Sequence, residues 1–440
     1  MNKNTIRSNP MLRVLSIRDF SLLWAGGTIS ILGSQFSLIA LPWLVLQLTG
    51  DPFALGTVLA LGGIPRAVIM LFGGAVSDRF SPRLILLLCD WANFVLSGLI
   101  AVLMMTGTMQ VWMLYAFSLI TGLLSGFVMP AASSIIPRIV PEADLQAGNA
   151  LSMGAGQLAG LAGPALAGII IGANAQSTQG ITIAFAVDAA SFAISALCIW
   201  AMRGGDIPQT VKTAAADAGE TIWQSIRGGL RYLAGNEKLR FMFTVTAAVN
   251  FLFTGPLLVG IPVLAAQRLP EGAQAFGFLI SAYAGGNLVG LLLAGVLPKP
   301  SGRILGIEII ALLATFGAVL MSMGWITLTW VDFSLLLLLG IGNGYLGIVI
   351  FTWIQQRTPK EMLGRMMSMM MLASMGLVPL SQTLAGAISK WDLTSLFALA
   401  GGLILLTTLW AAFQSALKSL SQDMAAFQAE QGQPLAVDSE

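Results

Sequence analysis

Four ionisable side chains stand inside long apolar runs: Arg66, Asp90, Asp188 and Glu308. The chain has 440 residues, of which 56% are hydrophobic and only 10% charged. A charge placed in such a run is costly, so each marks a candidate for function and calls for a partner. The chemistry open to them is narrow. The chain contains no histidine, so any proton relay must use carboxyl groups, and Asp90, Asp188 and Glu308 form the short list. Cys89 and Cys198 both sit in apolar runs and read as small buried residues rather than a disulfide or metal site. No metal site is expected. The methionines Met367, Met371 and Met375 share a helical face and could bind Cu(I), but flexible packing is the better reading.

Spacing suggests one pairing. With a turn near residue 80, Arg66 lies 14 positions before it and Asp90 10 after. Their heights then differ by about 6 Å, within reach of an arginine side chain. An Arg66–Asp90 pair is therefore expected, either structural or part of a coupling device. Asp188 lies about 10 Å from one end of its run, with no partner visible in the sequence. A carboxyl alone in an apolar site can be held neutral, as a proton carrier requires.

The elements that must position these groups follow from the runs. A helix crossing a bilayer needs about 20 mainly apolar residues. Twelve such runs are present, at 20–46, 54–77, 84–106, 110–137, 146–173, 181–202, 240–266, 275–297, 304–324, 331–355, 365–388 and 394–417. Helices are required because the bilayer core offers no other partner for backbone N–H and C=O groups. The first run is too long for a signal peptide and has no small-residue cleavage site behind it. Placing the N-terminus in the cytoplasm puts nineteen Lys and Arg on that side and only Arg268 and Lys390 on the other. Arg66 is embedded, which accounts for all 22. This bias predicts a multi-pass protein of the inner (cytoplasmic) membrane with both termini cytoplasmic. The net charge of +2 gives no reason to expect a nucleic-acid partner.

The longest polar stretch, 203–239, divides the runs six and six. The expected organisation is a cytoplasmic tail 1–19, a bundle 20–202, the linker 203–239, a bundle 240–417 and a tail 418–440. Within the linker, 219–234 carries Ile222, Ile226, Leu230 and Leu233 at helical spacing around Arg227 and Arg231. That suits either an amphipathic helix on the membrane surface or a plain tether. The halves repeat at an offset near 220: Pro42 matches Pro262, Gly56 matches Gly277, Gly74 matches Gly295, Pro141 matches Pro359, and Asp90 matches Glu308. Parallel repeats of this kind are a standard transporter plan.

The loop "GGAVSDRFSPR" (73–83) presents Gly74, Asp78, Arg79 and Arg83 at the spacing of a family signature. It resembles the loop between the second and third spans of the major facilitator superfamily, with Ser81 and Pro82 as departures. "LTGDPFALG" (48–56), "FAVDAASF" (185–192) and "PKEMLGRMMS" (359–368) are similar to the drug-exporter branch that includes macrolide efflux pumps and the enterobactin exporter. The resemblance covers about residues 18–417. It implies an all-α membrane fold of twelve helices in two parallel six-helix repeats. It also implies a latch: Asp78 at the start of the eleventh span near 364–366, with Arg83 or Arg79 paired to Glu142 or Asp144. "AGLAGPALAG" (159–168) is similar to the family's antiporter motif through Gly163, Pro164 and Gly168, with Ala159 and Ala167 replacing glycines. On the spans that line the family's cavity, Gln35, Gln157, Asn250, Asn287, Asn343 and Gln382 could contact substrate.

The resulting expectation is a secondary active transporter that exports a small amphipathic molecule, drug-, macrolide- or siderophore-like, by alternating access and proton antiport. The alternative is a lipid translocator or a small-solute importer or uniporter on the same fold. The expected partners are the bilayer and the substrate, with the chain a monomer, no cofactor and a proton gradient as energy source. An enzyme is not expected. Without histidine there is no Ser–His dyad or zinc H-E-x-x-H motif, and no G-x-x-x-x-G-K-[ST] occurs.

Overall fold

The computed structural model describes residues 9–77, 81–174, 177–204, 231, 234–297, 302–358 and 360–414. Asp78, Arg79 and nearly all of the 219–234 segment lie outside the described residues, as does the 418–440 tail. All regular elements among the described residues are helical. Among the described residues, twelve helices are long and apolar enough to cross a membrane, matching the number of runs. In order, the spans are Arg18–Thr49, Pro52–Ile69, Pro82–Thr106, Val111–Ile139, Glu142–Ala173, Gln179–Ala201, Leu239–Gln267, Ala273–Val296, Gly306–Met323, Thr329–Thr352, Met369–Trp391 and Leu393–Ala412.

Local chemistry sets where these helices begin and end. Ser81 is the N-cap of the third span, its hydroxyl accepting from Leu84 N at 3.4 Å, and Pro82 is the first helical residue. Pro suits that position because its missing N–H would be unpaired there anyway. The two departures from the loop signature thus start a helix. Gly50 (φ 60°) and Gly107 (φ 68°) end the first and third spans in the left-handed region, which favours glycine.

The chain divides into two compact units. One is Met1–Val211 with Pro262–Ser281, and the other is Lys212–Ile261 with Ala282–Glu440. In the first unit, the first span packs on the fifth and sixth, the third on the fourth and sixth, and the second on the fourth. In the second unit, the seventh span packs on the eleventh and twelfth, and the ninth on the tenth and twelfth. Most first-unit pairings therefore recur six spans later, the signature of a repeated bundle. Glycines allow the closest approaches. A Cβ on Gly122 would fall on the backbone of Gly62, and one on Gly340 would strike Tyr283 O and lie 3.0 Å from Gly286 Cα. Small residues at a crossing are how helices gain contact in lipid.

One end of the first unit, the end expected to face the cytoplasm, is built from capping interactions. The last carbonyls of a helix lack intrahelical partners and attract cations. Arg83 donates to Ile199 O (3.0 Å) and Trp200 O (2.8 Å), and Arg18 to Ala201 O (3.2 Å), closing the sixth span. Asp19 accepts from the backbone N–H of Arg203 (3.1 Å) and Gly204 (2.9 Å). A short helix, Pro10–Leu15, docks through Val14 beside Phe20 and Val140. Its Arg13 Nε donates to both carboxylate oxygens of Asp144, at 3.0 and 2.9 Å, and the guanidinium completes an ion pair with them. These bonds, and then the charge of Asp144, raise the Arg13 guanidinium above its ordinary range.

This arrangement corrects the Arg83 side of one expectation, whereas Arg79 lies outside the described residues. Arg83 does not pair with Glu142 or Asp144: Asp144 is taken by Arg13, and Arg83 caps a helix instead. Asp144 is only 5% exposed, so stripping Arg13 leaves a buried charge alone. We expect Arg13→Ala to lower the melting temperature in detergent more than the double variant Arg13→Ala/Asp144→Ala does. Additive effects of the two substitutions would contradict this pairing.

Candidate functional site

A buried polar cluster of the first unit lies where the first, third and sixth spans meet. Asp188 is 2% exposed. Its Oδ2 accepts from Ser37 Oγ at 2.5 Å and Ser97 Oγ at 2.7 Å. Its Oδ1 has no hydrogen-bond partner among the described residues. The expectation that Asp188 lacks a partner is thus half corrected, since two hydroxyls hold one oxygen and leave the other bare. Gly33 makes room for this meeting, because a Cβ there would coincide with Ser191 Oγ. The first span can therefore press against the sixth, bringing Ser37 to the carboxyl.

Asp90, 7% exposed, lies near the Ser195 hydroxyl of the sixth span. The arrangement is reciprocal. Asp90 and Ser97 lie seven residues apart on the third span, and Asp188 and Ser195 seven apart on the sixth. Seven residues are close to two helical turns, about 10 Å, so each pair shares a face. With the two helices antiparallel, Asp90 meets Ser195 and Asp188 meets Ser97. The sequence carried this signal as Asp-x6-Ser in both runs, and the reading missed it. It also missed Ser37, which nothing but packing identifies.

The expected Arg66–Asp90 pair is not formed. Arg66 is exposed and Asp90 is buried. Spans joined by a short loop need not pack together: here the second span packs on the fourth and the third on the sixth. In the second unit, Glu308 is partly buried, and its Oε2 has no hydrogen-bond partner among the described residues. A further acid, missed because it stands at the very start of its run, is Asp332. It is fully buried, and neither carboxylate oxygen has a hydrogen-bond partner among the described residues.

The motif residues of the fifth span make helix contacts. A Cβ on Gly163 would overlap the Gln35 side chain, coming 2.6 Å from its Cγ. On Gly168 it would lie 2.8 Å from Ala273 O and 2.9 Å from Gly277 Cα. Ala165 N donates to Ser281 Oγ at 2.9 Å. This glycine seam is why Pro262–Ser281 belongs to the first compact unit. Gly74 lies in the helix Pro52–Ser77. Of the six polar cavity candidates, Gln35, Gln157, Asn250, Asn287 and Asn343 are partly exposed. Gln382 is buried, and its Oε1 has no hydrogen-bond partner among the described residues. Asn250 spends its amide on Thr246 O, at 2.9 Å.

Twelve apolar helices in two repeated bundles, with carboxyls buried among hydroxyls, define a multi-pass membrane protein of the transporter type. The chain belongs to the Major Facilitator Superfamily, whose family model matches residues 23–381. It is 26% identical over 396 residues to the multidrug efflux pump Tap of Mycolicibacterium fortuitum, covering 88% of this chain and 90% of that one. To the enterobactin exporter EntS of Escherichia coli O1:K1 / APEC it is 23% identical over 378 residues, 83% of this chain and 82% of that one. A crystal structure of a D-xylose-proton symporter superposes with a TM-score of 0.66 at 16% identity, covering 91% and 98% of the two chains, and supports the fold alone.

Proposed function

We propose that the chain exports a small amphipathic molecule across the cytoplasmic membrane by alternating access, in exchange for protons carried on Asp188. The observation that carries this reading is the two-faced carboxyl of Asp188. Ser37 and Ser97 donate to Oδ2, and Oδ1 is bare. A proton taken up on Oδ1 leaves both serine bonds in place, so the group can load and unload without dismantling the junction of three helices. Its place near the middle of the sixth span suits a carrier that must serve both sides in turn. Export is supported by the efflux relatives, matched over most of their length. The Lys and Arg bias supports cytoplasmic termini. The uncharged polar side chains on the spans suit a ligand that is mostly apolar and needs a few hydrogen bonds.

Asp78 would act as a latch that biases which side opens, since a carboxylate is stabilised at a helix N-terminus by its free amides and dipole. Asp78→Asn keeps the shape and removes the charge, so it should cut transport about tenfold, the scale of one such contact, while insertion stays intact. Unaltered transport in that variant would remove the latch. The reading as a whole is tested with everted membrane vesicles and a panel of macrolides, catecholate siderophores and cationic dyes, each assayed with and without a proton gradient. Accumulation of at least one class that disappears when the gradient is collapsed is the expected result. No gradient-dependent accumulation across the panel would refute it.

A further inference from the structure

The buried face between the third and sixth spans is polar along part of its length and apolar along the rest. The third span places Asp90, Asn93 and Ser97 on it, and the sixth places Asp188, Ser191 and Ser195, both at a spacing of three and then four residues. That spacing keeps the three side chains of each helix on one face. None of the six is more than 8% exposed. Ser97 Oγ donates to Asp188 Oδ2 at 2.7 Å, and Ser195 lies near Asp90. With the helices antiparallel, Asn93 and Ser191 fall at the level between. Outward of Asp188 the same contact changes character. Its buried side chains there are Ile181, Ala184 and Phe185 on the sixth span and Ile100, Ala101 and Met104 on the third. Phe117 of the fourth span stands edge-on to Phe185, with ring centroids 6.0 Å apart.

Hydroxyls and amides suffice to join helices in lipid, so two carboxyls on one contact exceed that need. Neither Asp90 nor Asp188 has an ion-pair partner among the described residues. The other titratable groups on the packed spans are Arg18 and Asp19 on the first, Arg83 and Cys89 on the third, Tyr115 and Arg138 on the fourth, and Cys198 on the sixth; the fifth has none. Arg18, Asp19 and Arg83 are engaged at the end of the sixth span, and Cys89 Sγ donates to Leu124 O at 3.8 Å. Asp188 stands 13 residues before Ala201, about 20 Å inside the end expected to face the cytoplasm. Asp90 stands seven residues after Arg83, about 10 Å inside that end. It divides the distance from Asp188 to cytoplasmic water into two equal steps.

We propose that Asp90 is the inner station of a one-sided proton route, through which Asp188 exchanges its proton with the cytoplasm. The proposal rests on the reading of Asp188 as the proton carrier and deepens it. Asp188 gives up its carboxyl O–H proton and becomes a carboxylate, still held by the hydroxyls of Ser37 and Ser97. The Asp90 carboxylate takes that proton on oxygen and then releases it to cytoplasmic water. Water drawn into the seam bridges the interval, where Asn93 Oδ1 and Ser191 Oγ can accept hydrogen bonds; Asn93 Nδ2 and the Ser191 hydroxyl donate to backbone carbonyls. The apolar packing around Phe185 closes the seam on the outer side. An exchanger needs that closure, because a route open to both sides would leak protons.

The test follows the carboxyl C=O stretch of Asp188 by infrared spectroscopy on the full chain in lipid nanodiscs, identified as the band lost in Asp188→Asn. Its shift is timed after H2O is replaced by D2O, at the pH where the band is strongest. Asp90→Asn keeps the side-chain shape but cannot pass a proton, and should slow the shift about 100-fold, the lower end for a positioned proton-transfer group. Asp90→Glu keeps the acid and should restore most of the rate. An unchanged rate in Asp90→Asn would overturn the route and leave Asp188 as carrier intact. Equal slowing in Asp90→Asn and Asp90→Glu would also overturn it, because a merely structural residue behaves that way. Absence of an Asp188 band at every pH would remove the carrier and the route together.

Discussion

Asp188→Asn should abolish gradient-driven efflux, by about 100-fold or more, the lower end of what a positioned proton-transfer group contributes, while the chain still inserts and folds. The substitution is chosen for its shape. An asparagine carbonyl can accept from Ser37 and Ser97 as Oδ2 does now. Its NH2 then occupies the bare side of the group and cannot exchange a proton. Ser97→Ala is the contrasting change, because it removes one hydrogen bond and keeps the carboxyl. It should cost stability of about 1 kcal/mol and leave gradient-driven transport measurable. Everted vesicles, assayed with whichever panel compound the unsubstituted chain moves, separate the two effects. Equal rates for Asp188→Asn and the unsubstituted chain would show that Asp188 is only a structural tie between the first, third and sixth spans.

The second large effect concerns two glycines eight residues apart on the fifth span. Gly168→Ala should destabilise the protein by about 1–3 kcal/mol, the range for overpacking a filled contact, and should suppress transport. Its new methyl would press on Ala273 O and Gly277 Cα, both backbone atoms that cannot turn aside. Gly160→Ala should be tolerated, because a Cβ there meets nothing within 4 Å. The helix is already formed at both positions, so helix propensity does not distinguish them. Thermal unfolding in detergent together with vesicle transport checks the contrast. Equal tolerance at both positions would mean that the seam around Gly168 and Gly277 is not a working contact.

Reading the sequence reached some levels of this structure and missed others, for physical reasons. The spans were legible because the bilayer demands long apolar helices, and a run of that length has few other uses. The family followed from the loop around Gly74 and from the fifth-span glycines. Which helices touch was not legible. Apolar faces look alike to lipid and to a neighbouring helix, so the pairing of the second span with the fourth rests on Gly62 and Gly122 meeting in space. The Arg66–Asp90 pairing failed at that step, and so did Arg83 with Asp144. Asp90 and Asp188 were recognised as unusual, but their serine partners were not, although the two Asp-x6-Ser spacings stood in the sequence. Ser381 could not have been found. A serine beside Gln382 has no distinguishing pattern, and its contacts with the Gly255 N–H and Phe251 O appear only in the packed structure.

The central claim is that Asp188 carries the exchanged proton. It is tested most directly in sealed proteoliposomes with an acid lumen and a pH-sensitive dye inside, by adding a transported compound from outside and following lumenal pH. The account predicts that the compound drives protons out through the unsubstituted chain and that Asp188→Asn abolishes this response. A substrate-evoked pH change of undiminished size in Asp188→Asn would contradict it.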